Sequence, residues 1–555
     1  MGQPKRNMLI YRNDQEIRRG PMNFDPMKQP YHSDRITLAA RNGVVCTSNA
    51  LASQAGLDML KKGGNAIDAA IATAACLTVV EPTANGIGAD NFAIVWLDNE
   101  LYGMNSNGCS PYGISLDKVK KDNEKMPVHG WTPVTVPGAP KGWAALNQRF
   151  GKLSLLECLS PAIDYAENGF PVAANVAKMW KRAYEYNLKL YRDRSEFDEW
   201  FRTFTFDGKA PEPFQMITLP NHARTLRLIA ETNGESFYHG ELADRIDEDS
   251  KRHGGYLRKR DLEDFEPSWV SPLSVSYRGY DVVELPPSGQ GMVTLMALNV
   301  LNNYEVKERN SAYYHTMFEA MKIGFADGMH YITDPSLMEL DLAALLSPAY
   351  GEKRFGQIGT KAEEFSQDDP YQSGTVYLCT ADKYGNMVSM IQSNYMGFGS
   401  GIVVKDTGIA LQNRGADFKL DASCANVLAP HKRTYHTIIP GMLMKNNDCL
   451  GVFGVMGGFM QPQGHVQVVS NLIDFNLNPQ MALDCPRWQW VRGKQFVIEE
   501  GFDQNIAGEL MQKGHEISVA ADNSTFGRGQ IILKMDTGAY AAGTESRTDG
   551  NIALY

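Results

Sequence analysis

The spacing of apolar and polar residues predicts that helices dominate the first two-thirds of the chain. Apolar residues recur every three or four positions in several segments, and we interpret these as helices over 50–64, 65–80, 174–235 and 311–331. A further helix is expected to begin with Ser160 as N-cap and Pro161 in its first turn, and to end at Gly169. Runs rich in β-branched and aromatic residues predict strands at GVVCTSN, NFAIVWL and ELYGMN, the last two as a hairpin.

Strand-like runs dominate the last third. They are TVYLCTA, NMVSMIQS, GIVV, GIALQN, HTIIPGMLM, CLGVFGV, QFVIEE and GQIILKM, and a helix over about residues 463–476 interrupts them. Residues 1–35 predict an extended lead-in, and the charged segment 352–373, which contains Pro and Gly, predicts an exposed, mobile loop. Helices before this loop and strands after it indicate an α+β fold with sheet buried between helices.

Composition and charge narrow the classes of partner. The chain has 555 residues, a formal net charge of −10 and no long Lys/Arg run, which argues against nucleic acid or an anionic membrane as a partner. Residues 1–20 lack the apolar core of a secretory signal peptide, and the longest apolar run, 67–80, is too short to span a bilayer. Eight scattered cysteines without C-x-x-C spacing predict reduced, buried thiols. We therefore expect a cytoplasmic protein.

Familiar metal and phosphate motifs do not occur in the sequence: H-E-x-x-H, Walker A, EF-hand and G-x-S-x-G are all missing. His315 and His330 lie in the predicted helix 311–331 and are interpreted as structural or exposed rather than as ligands. Gly457 and Gly458 follow an apolar strand. They predict either two free N–H groups for an oxyanion hole or a tight strand-to-helix turn, and the sequence favours neither.

The candidate chemistry lies at Gly374 and Thr375, where the loop meets the strand TVYLCTA. A threonine hydroxyl is a weak nucleophile without a base beside it. An α-amino group has a pKa of roughly 7.7–8.0, so a cut before Thr375 would give this residue both nucleophile and base. Thr375 Oγ1 could make the cut by attacking the Gly374 carbonyl, which no Cβ shields. The same pair is also typical of an ordinary loop that ends at a strand.

Several motifs in order around this pair resemble those of the γ-glutamyltranspeptidase family of N-terminal-nucleophile hydrolases. SGTVYLCTADKYGNMVSMIQS, FGSGIVV, TGIALQNRGADF, LAPHKRTYHTIIP and VFGVMGG resemble its small subunit. AARNGVVCTSNALASQAGLDMLKKGGNAIDAAIATAACLTVVEP and VPGAPKGWAALNQRFGKLSLLECLSPAIDYAENGFPV resemble its large subunit. The resemblance covers nearly the whole chain from about Thr37.

The resemblance implies a fold, a processing event and a site. The fold is an αββα sandwich built from a large fragment 1–374 and a small catalytic fragment 375–555, which form a heterodimer that could assemble further. Cleavage between Gly374 and Thr375 would free the nucleophile Thr375, which Ser393 would support from the position of a family threonine. The acyl group would pass through Thr375 to water or another amine, and no metal or organic cofactor would be needed.

The same resemblance assigns residues that touch the substrate. Gly457 and Gly458 match the glycines whose N–H groups form the family's oxyanion hole. Asp417, in RGADF, matches the acid that holds the substrate's α-amino group.

The chain departs from the γ-glutamyl pattern at substrate-binding positions. The family arginine that binds the glutamate carboxylate aligns with Asn107, and the family's Ser-Ser pair is His436–Thr437. Tyr395 stands where asparagine is common.

Arg414 replaces a polar amide in the family pattern. Its guanidinium could bind a substrate carboxylate from another side, or it could form a surface or inter-fragment ion pair. The QNRG pattern resembles a branch of the family that includes oxamate amidohydrolase.

Three functions are therefore expected, in order. The first is an autoprocessed amidohydrolase or acyltransferase for γ-glutamyl compounds such as glutathione. The second keeps the mechanism and acts on a small dicarboxylic monoamide such as oxamate. The third is an uncut, inactive relative with a binding or structural role.

Overall fold

Two seven-stranded sheets form the middle of the molecule. The computed structural model describes residues 34–338, 341–364 and 374–555. Within these residues the strands are β1 Leu38–Ala40, β2 Gly43–Thr47, β3 Asp90–Leu97, β4 Glu100–Ser106, β5 Phe170–Pro171, β6 Met216–Ile217, β7 Ser268–Val270, β8 Leu273–Tyr277, β9 Tyr280–Glu284, β10 Gly374–Asp382, β11 Met387–Tyr395, β12 Gly441–Lys445, β13 Asp448–Met456, β14 Trp488–Arg492, β15 Gln495–Ile498, β16 Glu516–Val519, β17 Arg528–Lys534, β18 Tyr540–Thr544 and β19 Asn551–Leu554. Sheet I has the order β19-β2-β10-β11-β3-β4-β7, and sheet II has the order β1-β18-β17-β13-β12-β9-β8.

Helices cover the outer faces of both sheets. The α-helices of the described residues are α1 Ala50–Lys61, α2 Ala66–Val80, α3 Leu116–Lys120, α4 Ala139–Phe150, α5 Leu155–Asn168, α6 Ala174–Tyr191, α7 Asp198–Phe204, α8 Pro220–Glu231, α9 Glu235–Tyr238, α10 Glu241–Arg252, α11 Lys259–Glu263, α12 Gly291–Leu301, α13 Ser311–Tyr331, α14 Leu342–Leu345, α15 Pro348–Phe355, α16 Met460–Ile473, α17 Pro479–Asp484 and α18 Gln504–Gln512. α2 packs on β10 and β11 of sheet I, whereas α12 and α16 pack on β8, β9 and β13 of sheet II.

An apolar layer lies between the two sheets. Phe92, Tyr377 and Ile391 of sheet I are buried together with Val452 and Ile532 of sheet II. Side chains alternate between the faces of a strand, so every second residue of β3, β10 and β11 points into this layer. The order helix, sheet, sheet, helix confirms the predicted αββα sandwich.

Each sheet contains strands from both sides of residue 374. In sheet I, β10 pairs with β2 and β11 pairs with β3. In sheet II, β12 pairs with β9 and β18 pairs with β1. A cut before Thr375 would therefore leave two chains that share both sheets, and not two separate domains.

The long apolar run of the sequence is the core helix α2. Asn65 caps its N-terminus by accepting from the N–H groups of Ile67 and Asp68, while the Asp68 carboxylate accepts from Asn65 N–H. Every residue of α2 is buried, which explains why the run lacks a polar face. None of the described helices combines the length and the apolarity that a membrane span requires.

The helix expected to begin at Ser160 begins earlier, and this prediction is wrong. Its N-cap is Ser154, which forms a capping box with Glu157, so Pro161 lies inside α5. Pro161 has no N–H for the carbonyl of Glu157, and Ser160 Oγ donates to that carbonyl instead, at 2.8 Å. The predicted end at Gly169 is confirmed, because this residue caps the helix at a φ of 100°.

Four other predictions are also wrong, of which two concern whole strands and two concern boundaries. Residues 401–404 and 408–413 form only isolated bridges, including Val403 with Ala410, and not strands. The predicted strand at 436–444 forms only from Gly441, just after Pro440. The predicted loop 352–373 begins inside α15, which Ser347 caps. Residues 365–373, and residues 1–33 of the predicted lead-in, lie outside the described residues.

Candidate active site

Thr375 and Ser393 face each other on the inner side of sheet I. Their hydroxyl oxygens are 2.9 Å apart, and both residues are fully buried. Ser393 Oγ donates to the carbonyl of Gly374 at 2.9 Å and accepts from Tyr395 N–H at 2.8 Å. Because Ser393 has one hydroxyl hydrogen and donates it to Gly374, the Thr375 hydroxyl is the donor between the two. The nucleophile and the carbonyl before it thus share one partner.

A bulge in β11 produces this arrangement. The register passes from Gly374 opposite Tyr395 to Val376 opposite Gln392, so two residues of β11 lie opposite Thr375. Tyr395 closes the bulge with a φ of 74°, which is uncommon for a residue with a Cβ. Gly374 is closely packed, because a Cβ there would lie 3.0 Å from the carbonyl oxygen of Thr83.

Gly457 and Gly458 connect β13 to α16. Their φ values of 134° and 59° lie in the left-handed region, where glycine is favoured. Their carbonyls accept from Met460 and Gln461 N–H, while no acceptor for their own N–H groups is found among the described residues. Two free donors at a strand-to-helix turn can bind an oxyanion. The sequence left open whether these glycines form an oxyanion hole or a tight strand-to-helix turn, and the structure is compatible with both.

A cavity of about 590 Å³ opens beside these groups. Gly374 and Gly457 both line it, together with the apolar side chains of Met179, Met456 and Phe459. Gly374 and Gly457 therefore border one space that could receive part of a substrate.

Gln290 ties the glycine turn to the neighbouring loop, and no sequence motif marks it. Its Nε2 donates to the carbonyl of Thr437 at 2.6 Å and to that of Gly458 at 2.8 Å. Tyr435 donates its hydroxyl to Gln290 Oε1 at 3.0 Å. One buried amide therefore fixes the distance between the candidate oxyanion hole and the segment that carries Thr437.

Arg414 is buried with part of its guanidinium unpartnered. Nη1 donates to Thr437 Oγ1 at 2.8 Å and to Asp417 Oδ2 at 3.2 Å, and the guanidinium lies 4.0 Å from the ring centre of Tyr395. Only 1% of the side chain is exposed, yet Nε and Nη2 have no hydrogen-bond partner in the described part of the chain. The ion pair with Asp417 joins two residues of the last third of the chain. The alternative of a surface or inter-fragment pair is therefore wrong.

Asp417 does not have a free carboxylate. Tyr395 Oη donates to Oδ1 at 2.6 Å, and Arg414 takes Oδ2. Burial raises the pKa of Asp417, and the Arg414 guanidinium opposes this rise. Burial and the Asp417 carboxylate raise the pKa of Tyr395 well above its usual range, so the phenol stays a donor. Each oxygen thus has one partner in the free protein, and the expectation that Asp417 receives a substrate amino group stays a prediction.

His436 pairs with Asp90. Like Gln290, Asp90 lies in no motif identified in the sequence. Asp90 opens β3 directly opposite Ser393 in the sheet. His436 Nε2 lies 2.9 Å from Asp90 Oδ2, and neither side chain is exposed. Ile438 N–H donates to His436 Nδ1 at 3.3 Å, so the network assigns the ring hydrogen to Nε2, which donates to Asp90.

Burial and Arg414 set the charges of this pair. Burial raises the pKa of Asp90 to about 8, although the Arg414 guanidinium lowers it. Burial, helped by Arg414, holds the pKa of His436 well below its usual range. The imidazole is therefore neutral, and Asp90 can ionise when a cation approaches.

Asn107 lies beside this pair, at the position where the family has its arginine. Its Nδ2 donates to Ser288 Oγ at 3.2 Å, and the carbonyl of Ser288 accepts from His436 N–H at 2.9 Å. Asn107 Oδ1 is buried without a partner among the described residues. A neutral amide cannot replace an arginine as a carboxylate ligand. The cations near this position are Arg433, whose Nε donates to the Asn107 carbonyl at 3.1 Å, and the buried Arg414, which retains N–H groups without partners in the described residues.

A second histidine cluster does not suit a metal. His315, Glu319 and His515 place ligand atoms within 4.8 Å of one another. However, Lys322 Nζ lies 2.6 Å from Glu319 Oε1 and supplies the positive charge there. His315 is thus structural, as predicted: it bonds to His515 and to the carbonyl of Gly359.

Comparison with known proteins gives a consistent result. A family model described as gamma-glutamyltranspeptidase matches residues 52–555. The glutathione hydrolase-like YwrD proenzyme of Bacillus subtilis is 36% identical over 521 residues, with 91% of this chain and 97% of that protein covered. The oxamate amidohydrolase proenzyme of Klebsiella pneumoniae is 31% identical over 538 residues, with 94% and 100% covered. A solved structure titled cephalosporin acylase, from Bacillus halodurans, is 53% identical with a TM-score of 0.93, and covers 96% of this chain and 99% of its own.

Proposed function

Because the chain belongs to the gamma-glutamyltranspeptidase family, we propose that it is a proenzyme that cuts itself between Gly374 and Thr375 and then hydrolyses amides through an acyl-enzyme on Thr375. The observation that supports this most directly is the shared contact of Ser393 with Thr375 Oγ1 and with the Gly374 carbonyl, both at 2.9 Å. Through this contact, Ser393 links the attacking hydroxyl of Thr375 to the carbonyl of Gly374 in the uncut chain. The two fragments would remain together because both sheets contain strands of each.

Self-cleavage begins with attack of Thr375 Oγ1 on the Gly374 carbonyl carbon. Ser393 polarises that carbonyl by donating to its oxygen. The C–N bond breaks as the hydroxyl proton passes to the leaving nitrogen, and Gly374 becomes an ester on Oγ1. Water then hydrolyses the ester, leaving a carboxylate on Gly374 and a free amine on Thr375.

Substrate hydrolysis repeats this chemistry with the new α-amine as base. The amine takes the proton of Oγ1, which attacks the substrate's amide carbon, and the N–H groups of Gly457 and Gly458 stabilise the resulting oxyanion. Removing one such donor typically costs about 10²–10³ in kcat. The proton passes to the leaving amine, and water then releases the acyl group from Thr375.

Arg414 indicates the class of acyl group. Two unpartnered, buried N–H positions on a guanidinium match a carboxylate. Both γ-glutamyl compounds such as glutathione and dicarboxylic monoamides such as oxamate carry one. Only the γ-glutamyl class also carries an α-ammonium, so the two classes differ in whether the site must hold a cation as well.

Arg414→Ala tests this assignment. Charge-assisted hydrogen bonds contribute about 1.5–3 kcal/mol each, so loss of two should reduce kcat/KM on a carboxylate-bearing amide by about 10²–10⁴. Self-cleavage should persist. The control is the exposed Arg492→Ala. Glutathione, γ-glutamyl-p-nitroanilide and oxamate serve as substrates, and unchanged activity of the Arg414 variant on all of them would refute the role.

A further inference from the structure

Asp90 has one carboxylate oxygen that no protein group uses. Oδ2 accepts from His436, whereas Oδ1 is buried and has no hydrogen-bond partner among the described residues. The nearby Gly138 N–H is directed to the carbonyl of Ala89, at 3.0 Å. An unpaired buried oxygen of this kind destabilises the free protein, and a ligand that donates a hydrogen bond to it would remove this cost.

The place of Asp90 in the sheet directs it toward the nucleophile. Asp90 is opposite Ser393, and residues directly opposite in a sheet project from the same face. Phe92, two residues later, lies in the apolar layer between the sheets, so Asp90 points to that same side. Ser393 in turn contacts Thr375.

Near Asp90 the described residues include a second oxygen without a hydrogen-bond partner, on Asn107, and N–H groups without acceptors, on Arg414. Asn107 Oδ1 is unpartnered in the same part of the described structure, where Asn107, Ser288, His436 and Asp90 form one chain of hydrogen bonds. Thr437, next to His436, holds Arg414, whose Nε and Nη2 are also unpartnered. Two oxygen acceptors match an ammonium, and the guanidinium matches a carboxylate.

We propose that Asp90, assisted by Asn107, receives the ammonium of an α-amino acid acyl group while Arg414 holds its carboxylate. This rests on the proposed function of Thr375 and makes the γ-glutamyl class the preferred substrate. Asp417 then has a different role, because its ion pair and its bond to Tyr395 fix the orientation of Arg414. The amino-group site is thus on β3, and not in the RGADF segment.

The test compares two substrates that differ only in the amino group. γ-Glutamyl-p-nitroanilide carries the ammonium, and glutaryl-p-nitroanilide has the same chain and carboxylate without it. The wild type should show a kcat/KM at least 10-fold higher on the γ-glutamyl substrate. Asp90→Asn keeps the shape and the bond from His436 but presents an amide N–H₂ to the ammonium. It should bring the ratio to about one or below, because the loss of kcat/KM on the γ-glutamyl substrate exceeds any loss on the glutaryl substrate.

Two further variants keep the test decisive. Asp536→Asn, in an exposed turn, is the matched control and should leave the ratio unchanged. Asn107→Asp places a second carboxylate beside the ammonium site and should raise the ratio, which provides a reading even where Asp90→Asn fails to fold. Cleavage at Thr375 is checked for every variant by mass.

The outcomes separate the two proposals. A wild type that prefers the glutaryl substrate, or an Asp90→Asn variant that loses both activities equally, would overturn the ammonium site and leave the amidohydrolase proposal intact. A correctly cut wild type that hydrolyses oxamate but neither anilide would overturn the ammonium site alone, and one that hydrolyses none of the three would overturn both.

Discussion

Gln290→Glu tests whether one amide positions the oxyanion hole. The substitution preserves the shape of the side chain but replaces the Nε2 donor by an oxygen. That oxygen would face the carbonyls of Thr437 and Gly458 at 2.6 and 2.8 Å. The hydrogen bond from Tyr435 to Oε1 can remain.

The expected magnitude follows from these two contacts. Each buried group left without its partner costs about 1–3 kcal/mol, so the pair costs about 2–6 kcal/mol if nothing moves. The glycine turn relieves this cost by shifting, which displaces the N–H groups of Gly457 and Gly458. Since loss of one oxyanion donor costs about 10²–10³ in kcat, we expect kcat to fall about 100-fold.

The assay is steady-state hydrolysis of γ-glutamyl-p-nitroanilide by fully cut enzyme, with the cut fraction measured by mass. Gln512→Glu changes an exposed glutamine in the same way and is the control. A folded, fully cut Gln290→Glu enzyme with kcat within 2-fold of the wild type would refute the positioning role.

Two other substitutions test the nucleophile's surroundings and the packing between the sheets. Ser393→Ala removes the hydroxyl that contacts Thr375. We expect self-cleavage, followed by mass, to slow at least 10-fold in this variant and to be restored in Ser393→Thr. Cleavage of the alanine variant at the wild-type rate would contradict the geometry. Gly454→Ala would place a Cβ 2.3 Å from the ring of Tyr377, so thermal unfolding should show a loss of about 1–3 kcal/mol. Gly508→Ala, which has open space within α18, should instead be neutral or stabilising by up to about 1 kcal/mol; equal effects of the two would be inconsistent with the packing.

Local features of the sequence predict the strand that begins near Thr375 and the turn at Gly457 and Gly458. The role of Thr375 as nucleophile is predicted only by the resemblance of the motifs around it, because a Gly-Thr pair alone is also typical of a loop that ends at a strand. The predicted start of α5 is wrong for a local reason, because Ser154 and Glu157 form a capping box six residues before Ser160. Pro161 is tolerated inside the helix because the Ser160 hydroxyl donates to the Glu157 carbonyl that the proline leaves without a donor.

Asp90 and Gln290 could not be predicted in this way, because their partners are distant in sequence. Asp90 and His436 are 346 residues apart, and Gln290 reaches Thr437 and Gly458 across 147 and 168 residues. Packing of sheet I against sheet II brings Asp90 to His436, and the pairing of β9 with β12 brings Gln290 to the segment that carries Thr437. The contacts of Arg414 with Asp417, Tyr395 and Thr437 could not be predicted either, because Tyr395 and Thr437 lie about 20 residues away on opposite sides of it.

The central claim is that Thr375 cuts the chain and becomes its N-terminal nucleophile. Intact mass and N-terminal sequencing of the purified protein, beside Thr375→Ala, test it most directly. We predict two wild-type fragments, the smaller beginning TVYLCTA, and an uncut variant at 61.6 kDa. A wild type that stays at 61.6 kDa under the same conditions would contradict the account and favour an inactive relative with a binding role.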